Sequence, residues 1–500
     1  MSIGEAEDRV AAVGQAVVDA DEATVAFIQA LANDTVKVSG ERVFVVGPDA
    51  PVGQATDPLT GKPVALPDDA QDVINNNFMR SGLDAALAAL KLFSGAPAER
   101  LAAVATLIKE PSEALLPLLD QALATEKDTA VLAQLELARS AALLGSADVA
   151  KRLAAAKALA SSKTPATQLL LNQRLADEDD AAVKSALQTS LRSIQETLVW
   201  GERVGALFTG ISLGSILLLV ALGLAITYGL MGVINMAHGE LMMIGAYATY
   251  GVQGLFRTHL PGAFDWYLLA ALPVAFTVSA LVGVAMERGV LRFLYGRPLE
   301  TLLATWGISL VLMQAVRSLF GAQNVGVENP SWMSGGVQVL ANLTLPYNRL
   351  GLIAFAAAVL LGMAWLIGKT RLGLFVRGVT QNRPMASCLG VNTARIDTYA
   401  FSLGSGIAGL AGCALSQVGN VGPDLGQTYI VDAFMVVVVG GVGQLAGAVY
   451  AALGLGMASK LLEGVTGAVL AKIAVLVFII IFIQKRPQGI FAMKGRSAEA

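Results

Sequence analysis

The sequence predicts an all-α protein: a polytopic transmembrane helical bundle of about eight or nine spans, some broken or re-entrant, behind a soluble helical-repeat domain with a small β-hairpin. Of the 500 residues, 55% are hydrophobic and only 15% are charged, whereas about a quarter of a soluble domain is charged. Charged residues are frequent up to residue 200, and apolar stretches follow from residue 205. We therefore expect two domains, residues 1–200 and 205–493.

The soluble domain begins with short segments of different types. Residues 5–33 are amphipathic, which predicts one or two helices. Residues 37–47 alternate around a Ser-Gly turn and predict the β-hairpin. Residues 57–69, punctuated by Pro and Gly, are predicted to form a loop, and Ala- and Leu-rich helices follow from Asn75.

An internal repeat is visible in these helices. Residues 99–107 resemble residues 151–159, and residues 123–131 resemble residues 175–183, both with an offset of 52 residues. A common offset predicts duplicated helical hairpins that stack on one another. The alternative is chance similarity among Ala-rich helices. The domain carries no catalytic constellation, so we expect it to bind a partner and the chain not to be an enzyme.

Apolar stretches long enough to cross a bilayer follow one another through the second domain. They are residues 207–231, 236–256, 266–286, 301–320, 350–367, 396–418, 431–462 and 465–483. The stretch 431–462 is longer than one span needs and is interrupted by glycines. It is therefore a candidate broken helix, of the kind that lines cavities in transporters.

Basic residues orient the bundle. They cluster in residues 288–297, 369–395 and 485–496, which the positive-inside rule places in the cytoplasm. The loops 257–265 and 321–349 are then external. The charges do not decide on which side of the membrane residues 1–200 lie. If both of the first two stretches cross, these residues are extracytoplasmic, and if one is re-entrant, they are cytoplasmic. The polar N-terminus does not resemble a signal peptide.

Several classes of site are not expected. The net charge of −3 and the absence of a basic face argue against a nucleic-acid partner. The two cysteines form no disulfide framework, and two histidines exclude a multi-histidine metal site. We expect no cofactor, no metal and no catalytic residue.

Polar residues inside apolar stretches are candidates for a functional site, because such groups are costly at membrane depth. Asn235, His238 and Glu240 lie together near the start of the second stretch. They could instead cap a helix break and satisfy one another. Asn420 and Asp424 belong to an irregular segment on the external side, which is either a substrate vestibule or an ordinary turn.

The basic segment 369–395 is too long for a simple turn and is amphipathic. Such a segment can dock into a groove on a soluble partner. Alternatively, its basic face reads anionic membrane lipid.

Four segments of the second domain resemble the permeases of branched-chain amino-acid ABC importers, over about residues 205–493. They are residues 234–247, 370–391, 436–449 and 485–491. A closer resemblance, to the urea-transporter branch of these permeases, lies in residues 56–69, 73–80 and 419–447. Members of that branch carry an N-terminal extension of about this size.

The resemblance implies a multi-pass subunit of an importer in the bacterial cytoplasmic (inner) membrane. Its partners would be a second permease subunit, two cytoplasmic ATP-binding subunits and an extracytoplasmic substrate-binding protein that delivers urea or a short amide. The ATPase-coupling loop would contain Arg371, Arg377, Gln381, Asn382, Arg383 and Gly390.

A small neutral substrate needs a polar path without a fixed charge pair. Asn235, Thr305, Ser309 and Gln314 are the polar side chains that we expect along it. Three alternatives stand beside the urea importer: a branched-chain amino-acid importer, a passive urea or amide channel, and a membrane-anchored scaffold built on the helical repeat.

Overall fold

The computed structural model describes residues 1–18, 20–40, 42–47, 53–58, 60–94 and 96–491. It divides into two compact units, Met1–Gly201 and Glu202–Ala500. The basic residues Lys494 and Arg496 of the predicted cytoplasmic tail lie outside the described residues.

Helices form most of the first unit. They are α1 (Ala6–Val18), α2 (Glu22–Ala32), α3 (Asn77–Leu90), α4 (Pro97–Lys109), α5 (Leu116–Thr125), α6 (Thr129–Leu143), α7 (Val149–Ala158), α8 (Pro165–Asp177) and the start of α9 (Ala181–Met231). The helices predicted in residues 5–33 and after Asn75 are thus present. Asn76 begins α3 by accepting a hydrogen bond from Met79 N at 2.8 Å. Met79 and Leu83 are buried against the apolar faces of the neighbouring helices.

The predicted hairpin is part of a larger antiparallel sheet. Its strands are β1 (Val36–Ser39), β2 (Arg42–Val45), β3 (Gln54–Thr56), β4 (Pro63–Ala65) and β5 (Gln71–Asp72), in the order β4-β3-β2-β1-β5. The loop predicted for residues 57–69 is wrong where β4 forms, and the chain is mostly helical rather than all-α. Proline is tolerated because Pro63 is the first residue of an edge strand.

The 52-residue offset reappears in the helix starts of the first unit. Asp128 caps α6 by accepting a hydrogen bond from Ala130 N at 2.8 Å. Asp180 does the same for α9, accepting from Ala182 N at 2.8 Å. Aspartate at this position satisfies backbone donors that the first helical turn leaves unpaired. The two related segments therefore share their local structure as well as their sequence pattern.

The second unit contains the rest of α9 and ten further helices among the described residues. They are α10 (His238–His259), α11 (Tyr267–Gly289), α12 (Pro298–Phe320), α13 (Tyr347–Lys369), α14 (Arg371–Gln381), α15 (Arg383–Cys388), α16 (Thr393–Ser416), α17 (Leu425–Gly440), α18 (Leu445–Thr466) and α19 (Ala468–Lys485). A second hairpin, β6 (Gly336–Leu340) with β7 (Leu343–Pro346), was not predicted.

Seven helices of the described chain are long and apolar enough to cross a membrane. The predicted stretch 431–462 is broken, since α17 ends at Gly440 and α18 begins at Leu445. Helix α17 has 16 residues and falls short of the length of a span. Helix α10 has 22 residues but is less apolar.

Small residues let α10, α11 and α16 approach closely. A side chain at Gly412 on α16 would overlap the carbonyl oxygen of Met242 on α10. Ser279 on α11 donates to the carbonyl oxygen of Leu241 at 2.9 Å. Close backbone approach of this kind is how small-residue faces pack helices in membranes.

Candidate functional site

A break in the chain separates α9 from α10. Helix α9 ends at Met231, Gly232 has a φ of +66°, and α10 begins at His238. Asn235 Oδ1 accepts a hydrogen bond from Ala237 N at 3.1 Å, just before α10 begins. One half of its amide therefore bonds within the break, and the other half, the side-chain nitrogen, has no hydrogen-bond partner among the described residues.

Helix α12 lies against this break. Met236 N donates to Thr305 Oγ1 at 3.2 Å, and Thr305 is fully buried. One turn further along α12, the hydroxyl of Ser309 interacts with the carboxylate of Glu240. The structure thus brings together four of the predicted residues: Asn235, Glu240, Thr305 and Ser309.

Besides His238 Nδ1, three buried polar groups near these helices lack a hydrogen-bond partner among the described residues. They are the Asn235 side-chain nitrogen, one Glu240 carboxylate oxygen and the Tyr247 hydroxyl. Each of the three residues is at most 2% exposed. A buried polar group without a partner costs about 1–3 kcal/mol. Polar atoms held at this cost are available to a polar solute, and we call these three residues the open polar set.

Sequence reasoning missed Tyr247. It lies seven residues after Glu240, so both side chains project from about the same face of α10. Its ring packs against Phe320 at the end of α12, with centroids 4.8 Å apart. The helical spacing from Glu240 was the signal that could have found it.

His238 faces a different helix. Its Nε2 lies 3.1 Å from the carbonyl oxygen of Val220 on α9, so that nitrogen carries the proton and donates. The ring also lies against Gly223 of α9. His238 therefore contributes to packing between α9 and α10 rather than to the face that meets α12.

Two segments next to Tyr247, one around Val325 and one around Val421, are joined by backbone hydrogen bonds. Val325 and Val421 pair through two backbone hydrogen bonds of 2.8 and 2.9 Å. Val421 is buried against Tyr247, and Asp424 is near enough to act electrostatically on the Tyr247 hydroxyl. Asn420 and Asp424 are exposed, so they lie at the rim beyond the open polar set.

Gln314 is exposed, whereas Thr301, Thr305, Ser309 and Val316 form the buried face of α12. The structure therefore places Gln314 apart from the other predicted path residues. Helical periodicity decides this, because Gln314 is five residues after Ser309 and lies on another side of the helix.

The predicted coupling loop folds as two short helices, α14 and α15. Val376, Val379, Ala386 and Ile396 form a small core beneath them. Gly390, after α15, has a φ of +84°. The six predicted coupling residues are all exposed: Arg371, Arg377, Gln381, Asn382, Arg383 and Gly390. Leu374, Met385 and Leu389 are also exposed on this loop, at 60%, 56% and 77%.

Two contacts of α9 inside the second unit show which segments lie beside each end of this part of the helix. A side chain at Gly205 on α9 would lie 3.0 Å from Leu343 Cδ1 on β7. At the other end of α9, a side chain at Gly229 would meet the backbone of Gly443. The part of α9 that belongs to the second unit therefore runs from the end that carries the β6–β7 hairpin to the end that carries Gly443.

Comparison with known proteins supplies the family. The family model described as branched-chain amino acid transport system / permease component matches residues 206–484. The chain is 30% identical over 291 residues to the high-affinity branched-chain amino acid transport system permease protein LivH of Escherichia coli, covering 57% of this chain and 94% of LivH. It is 28% identical over 290 residues to BraD of Pseudomonas aeruginosa, a permease protein with the same description, again covering 57% and 94%.

A shorter match is to a permease whose name gives a different transported solute. The autoinducer 2 import system permease protein LsrC of Salmonella paratyphi B is 35% identical over 120 residues, which cover 23% of this chain and 34% of LsrC. No solved structure matches the chain. The chain belongs to the family of permease components of branched-chain amino acid transport systems, and it is a multi-pass ABC-transporter subunit of the cytoplasmic membrane that is not itself an enzyme.

Proposed function

We propose that this subunit translocates urea or a short amide in an ATP-driven importer. The open polar set carries the proposal: it combines an amide nitrogen, a carboxylate oxygen and a hydroxyl, all buried. Urea presents a carbonyl acceptor to the Asn235 nitrogen and N–H donors to Glu240. The hydroxyl groups of Thr305 and Ser309 extend this lining along α12.

A branched-chain amino acid is the second candidate, and one observation favours it besides the names of LivH and BraD. Helices α10 and α17 begin side by side, since a side chain at Gly239 would overlap the backbone of Gly426. Two helix N-termini attract an anionic group such as the carboxylate of an amino acid. The name of LsrC illustrates that relatives of this chain act on other solutes.

The assembly would contain two ATP-binding subunits, a second permease subunit and an extracytoplasmic substrate-binding protein. Exposed Met385 and Leu389 support ATPase docking, because they present apolar side chains outside the membrane-spanning helices. The exposed apolar faces of α13 and α19, which include Leu361 and Ile480, would contact membrane lipid or the second permease subunit.

We also propose that residues 1–201 lie outside the cell. The part of α9 around Gly205 lies beside the β6–β7 hairpin, in the loop 321–349 that the charge distribution makes external. Both of the first two predicted stretches would then cross. The first unit would be on the side from which the substrate-binding protein arrives.

The substrate proposal is tested on the whole importer. The complex, reconstituted in vesicles with its binding protein outside and ATP inside, is given radiolabelled urea and, in parallel, radiolabelled leucine. ATP-dependent urea uptake that excess leucine does not reduce would support the proposal. Leucine uptake without urea uptake would establish the second candidate, and urea uptake without ATP would establish a passive channel.

A further inference from the structure

One predicted coupling residue, Arg383, is exposed but reaches a buried carboxylate. Its guanidinium forms a two-pronged ion pair with Asp397 near the start of α16, with 3.3 Å between Nη1 and Oδ1. Asp397 is 1% exposed, whereas 43% of the Arg383 side chain is exposed. Arg383 therefore joins the coupling loop to a buried charge at the start of a membrane-spanning helix.

A second buried carboxylate extends this contact. Glu287, in the last turn of α11, is fully buried. Its two oxygens accept hydrogen bonds of 2.8 Å each, one from the Tyr295 hydroxyl and one from Thr398 Oγ1. Burial raises the pKa of Tyr295, so its hydroxyl stays protonated and remains a donor. Both carboxylate oxygens of Glu287 are therefore fixed by hydrogen bonds.

Tyr295 connects the two carboxylates. The guanidinium carbon of Arg383 lies 5.6 Å from the centre of the Tyr295 ring, within the range of a cation–π contact. We call Arg383, Asp397, Tyr295, Glu287 and Thr398 the Arg383 cluster. It ties four parts of the chain together: α15, the start of α16, the end of α11 and the connection between α11 and α12.

The helices that the Arg383 cluster joins reach the open polar set. Ser279 of α11 donates to the backbone of Leu241, the residue after Glu240. Gly412 of α16 packs against the backbone of Met242. A displacement of α11 and α16 therefore moves the helix that carries Glu240 and Tyr247.

We propose that the Arg383 cluster positions α11 and α16 relative to the coupling loop, so that movement of the loop reaches the open polar set. This inference rests on the proposed ATP-driven import. One ion pair and two hydrogen bonds to a buried carboxylate suit such a role, because packed interfaces switch between discrete arrangements rather than deforming continuously. The five residues are positioning residues: none of them belongs to the open polar set.

The test separates coupling from folding. Replacing one partner of a buried ion pair leaves the other charge buried without a partner and destabilises the protein. Replacing both partners by apolar residues of similar size often leaves stability unchanged. The decisive variant is therefore the double substitution Arg383→Met and Asp397→Leu. A second variant, Tyr295→Phe, keeps the ring beside Arg383 and removes only the hydrogen bond to Glu287.

Arg288 provides the control. It is an exposed basic residue next to Glu287, on the same end of α11, and it forms no ion pair among the described residues. The variant Arg288→Ala removes a positive charge from this membrane face without touching the Arg383 cluster. It should transport as the wild type does.

Each variant is purified with its ATPase subunits and reconstituted in vesicles, and solute uptake and ATP hydrolysis are measured together. The solute is radiolabelled urea or leucine, whichever the wild-type complex imports. If the wild type imports neither with ATP, the proposed function fails before the variants are compared.

We expect the double variant to bind the ATPase subunits and to hydrolyse ATP within about twofold of the wild type, while uptake per ATP falls at least about tenfold, within the usual range of site-to-site coupling. Tyr295→Phe should lower the same ratio less. A wild-type ratio in the double variant would overturn the proposal, as would an equal loss in Arg288→Ala. If the double variant does not assemble, Tyr295→Phe decides: an unchanged ratio rejects the proposal.

Discussion

The guanidinium of Arg100 binds both carboxylate oxygens of Glu126, at 2.7 Å from Nε and 3.0 Å from Nη2. The same arrangement recurs 52 residues later, where Arg152 donates to both oxygens of Glu178 at 2.9 Å each. Each pair fastens the start of one helix to the turn that precedes another. The internal repeat is thus a repeat of an ion pair as well as of apolar positions.

The first prediction concerns this ion pair. Hydrogen bonds from Arg100 lower the pKa of Glu126 to about 2. In an unfolded chain the carboxyl titrates near about 4.3. Its contribution to stability is therefore complete above about pH 5 and is lost as the pH falls towards about 2. Glu126→Gln should lower the Tm of a fragment of residues 1–201 at neutral pH and flatten this acid dependence, as followed by circular dichroism.

Asp120→Asn is the control, because Asp120 pairs with Arg139 at the surface, where both side chains are about half exposed. Exposed ion pairs contribute little to stability. An equal loss of Tm in the two variants would mean that the Arg100–Glu126 pair has no special role.

The second prediction concerns the crossing of α10 and α16. A methyl group at Gly412 would overlap the Met242 carbonyl oxygen, and backbone cannot yield as a flexible side chain does. Gly412→Ala should destabilise the bundle by about 1–3 kcal/mol, the usual cost of overpacking. The amount of folded protein after heating, measured by size-exclusion chromatography, should fall. Gly362→Ala on α13, where a methyl group meets open space, should behave as the wild type.

The third prediction concerns Tyr247. Its buried hydroxyl has no partner in the part of the chain that the structure describes, so Tyr247→Phe should leave the fold as stable or more stable. If the hydroxyl binds solute, uptake should nevertheless fall about 2–10-fold, the value of one neutral hydrogen bond. Tyr250→Phe is the control, since Tyr250 contacts the same Phe320 ring from one turn further along α10. Equal uptake in both variants would remove Tyr247 from the path.

The fourth prediction concerns the coupling loop. Gly390 has a φ of +84°, a conformation that costs a residue with a side chain about 1–2 kcal/mol. Gly390→Ala should shift the turn after α15 and reduce uptake per ATP hydrolysed. Gly378 lies within α14 and also faces open space, so Gly378→Ala is a matched control. Normal coupled uptake in Gly390→Ala would argue against a role for this turn.

The fifth prediction concerns the side of the first unit. Cys388 is exposed on the coupling loop and Cys413 is buried, so Cys388 reports the side of this loop, which we predict to be cytoplasmic. In intact spheroplasts, a membrane-impermeant maleimide should label Lys157→Cys, at an exposed position of α7, but not Cys388. Cys388 should react only after permeabilisation. Labelling of Lys157→Cys only after permeabilisation would place the first unit in the cytoplasm.

Local sequence patterns predicted most of the helices and part of the candidate site. Apolar length and composition predicted the membrane-spanning segments, because the bilayer sets the length of a span. The placement of Asn235 and Glu240 beside a helix break also followed from polar residues within an apolar stretch. Strand β4 was missed because its three residues begin with a proline, and only its pairing with β3 in the folded sheet makes them a strand.

By itself, the sequence determined the step from a charged to an apolar domain, the 52-residue repeat, the spans and the charge bias between the two ends of the bundle, all of which are properties of local composition and periodicity. The tertiary structure alone decided which polar atoms face one another. Gln314 lies on a different side of α12 from Ser309, Tyr247 lies on the same face of α10 as Glu240, and exposed Arg383 pairs with buried Asp397. Such outcomes depend on how helices rotate and cross, which is set by close packing between segments far apart in the chain.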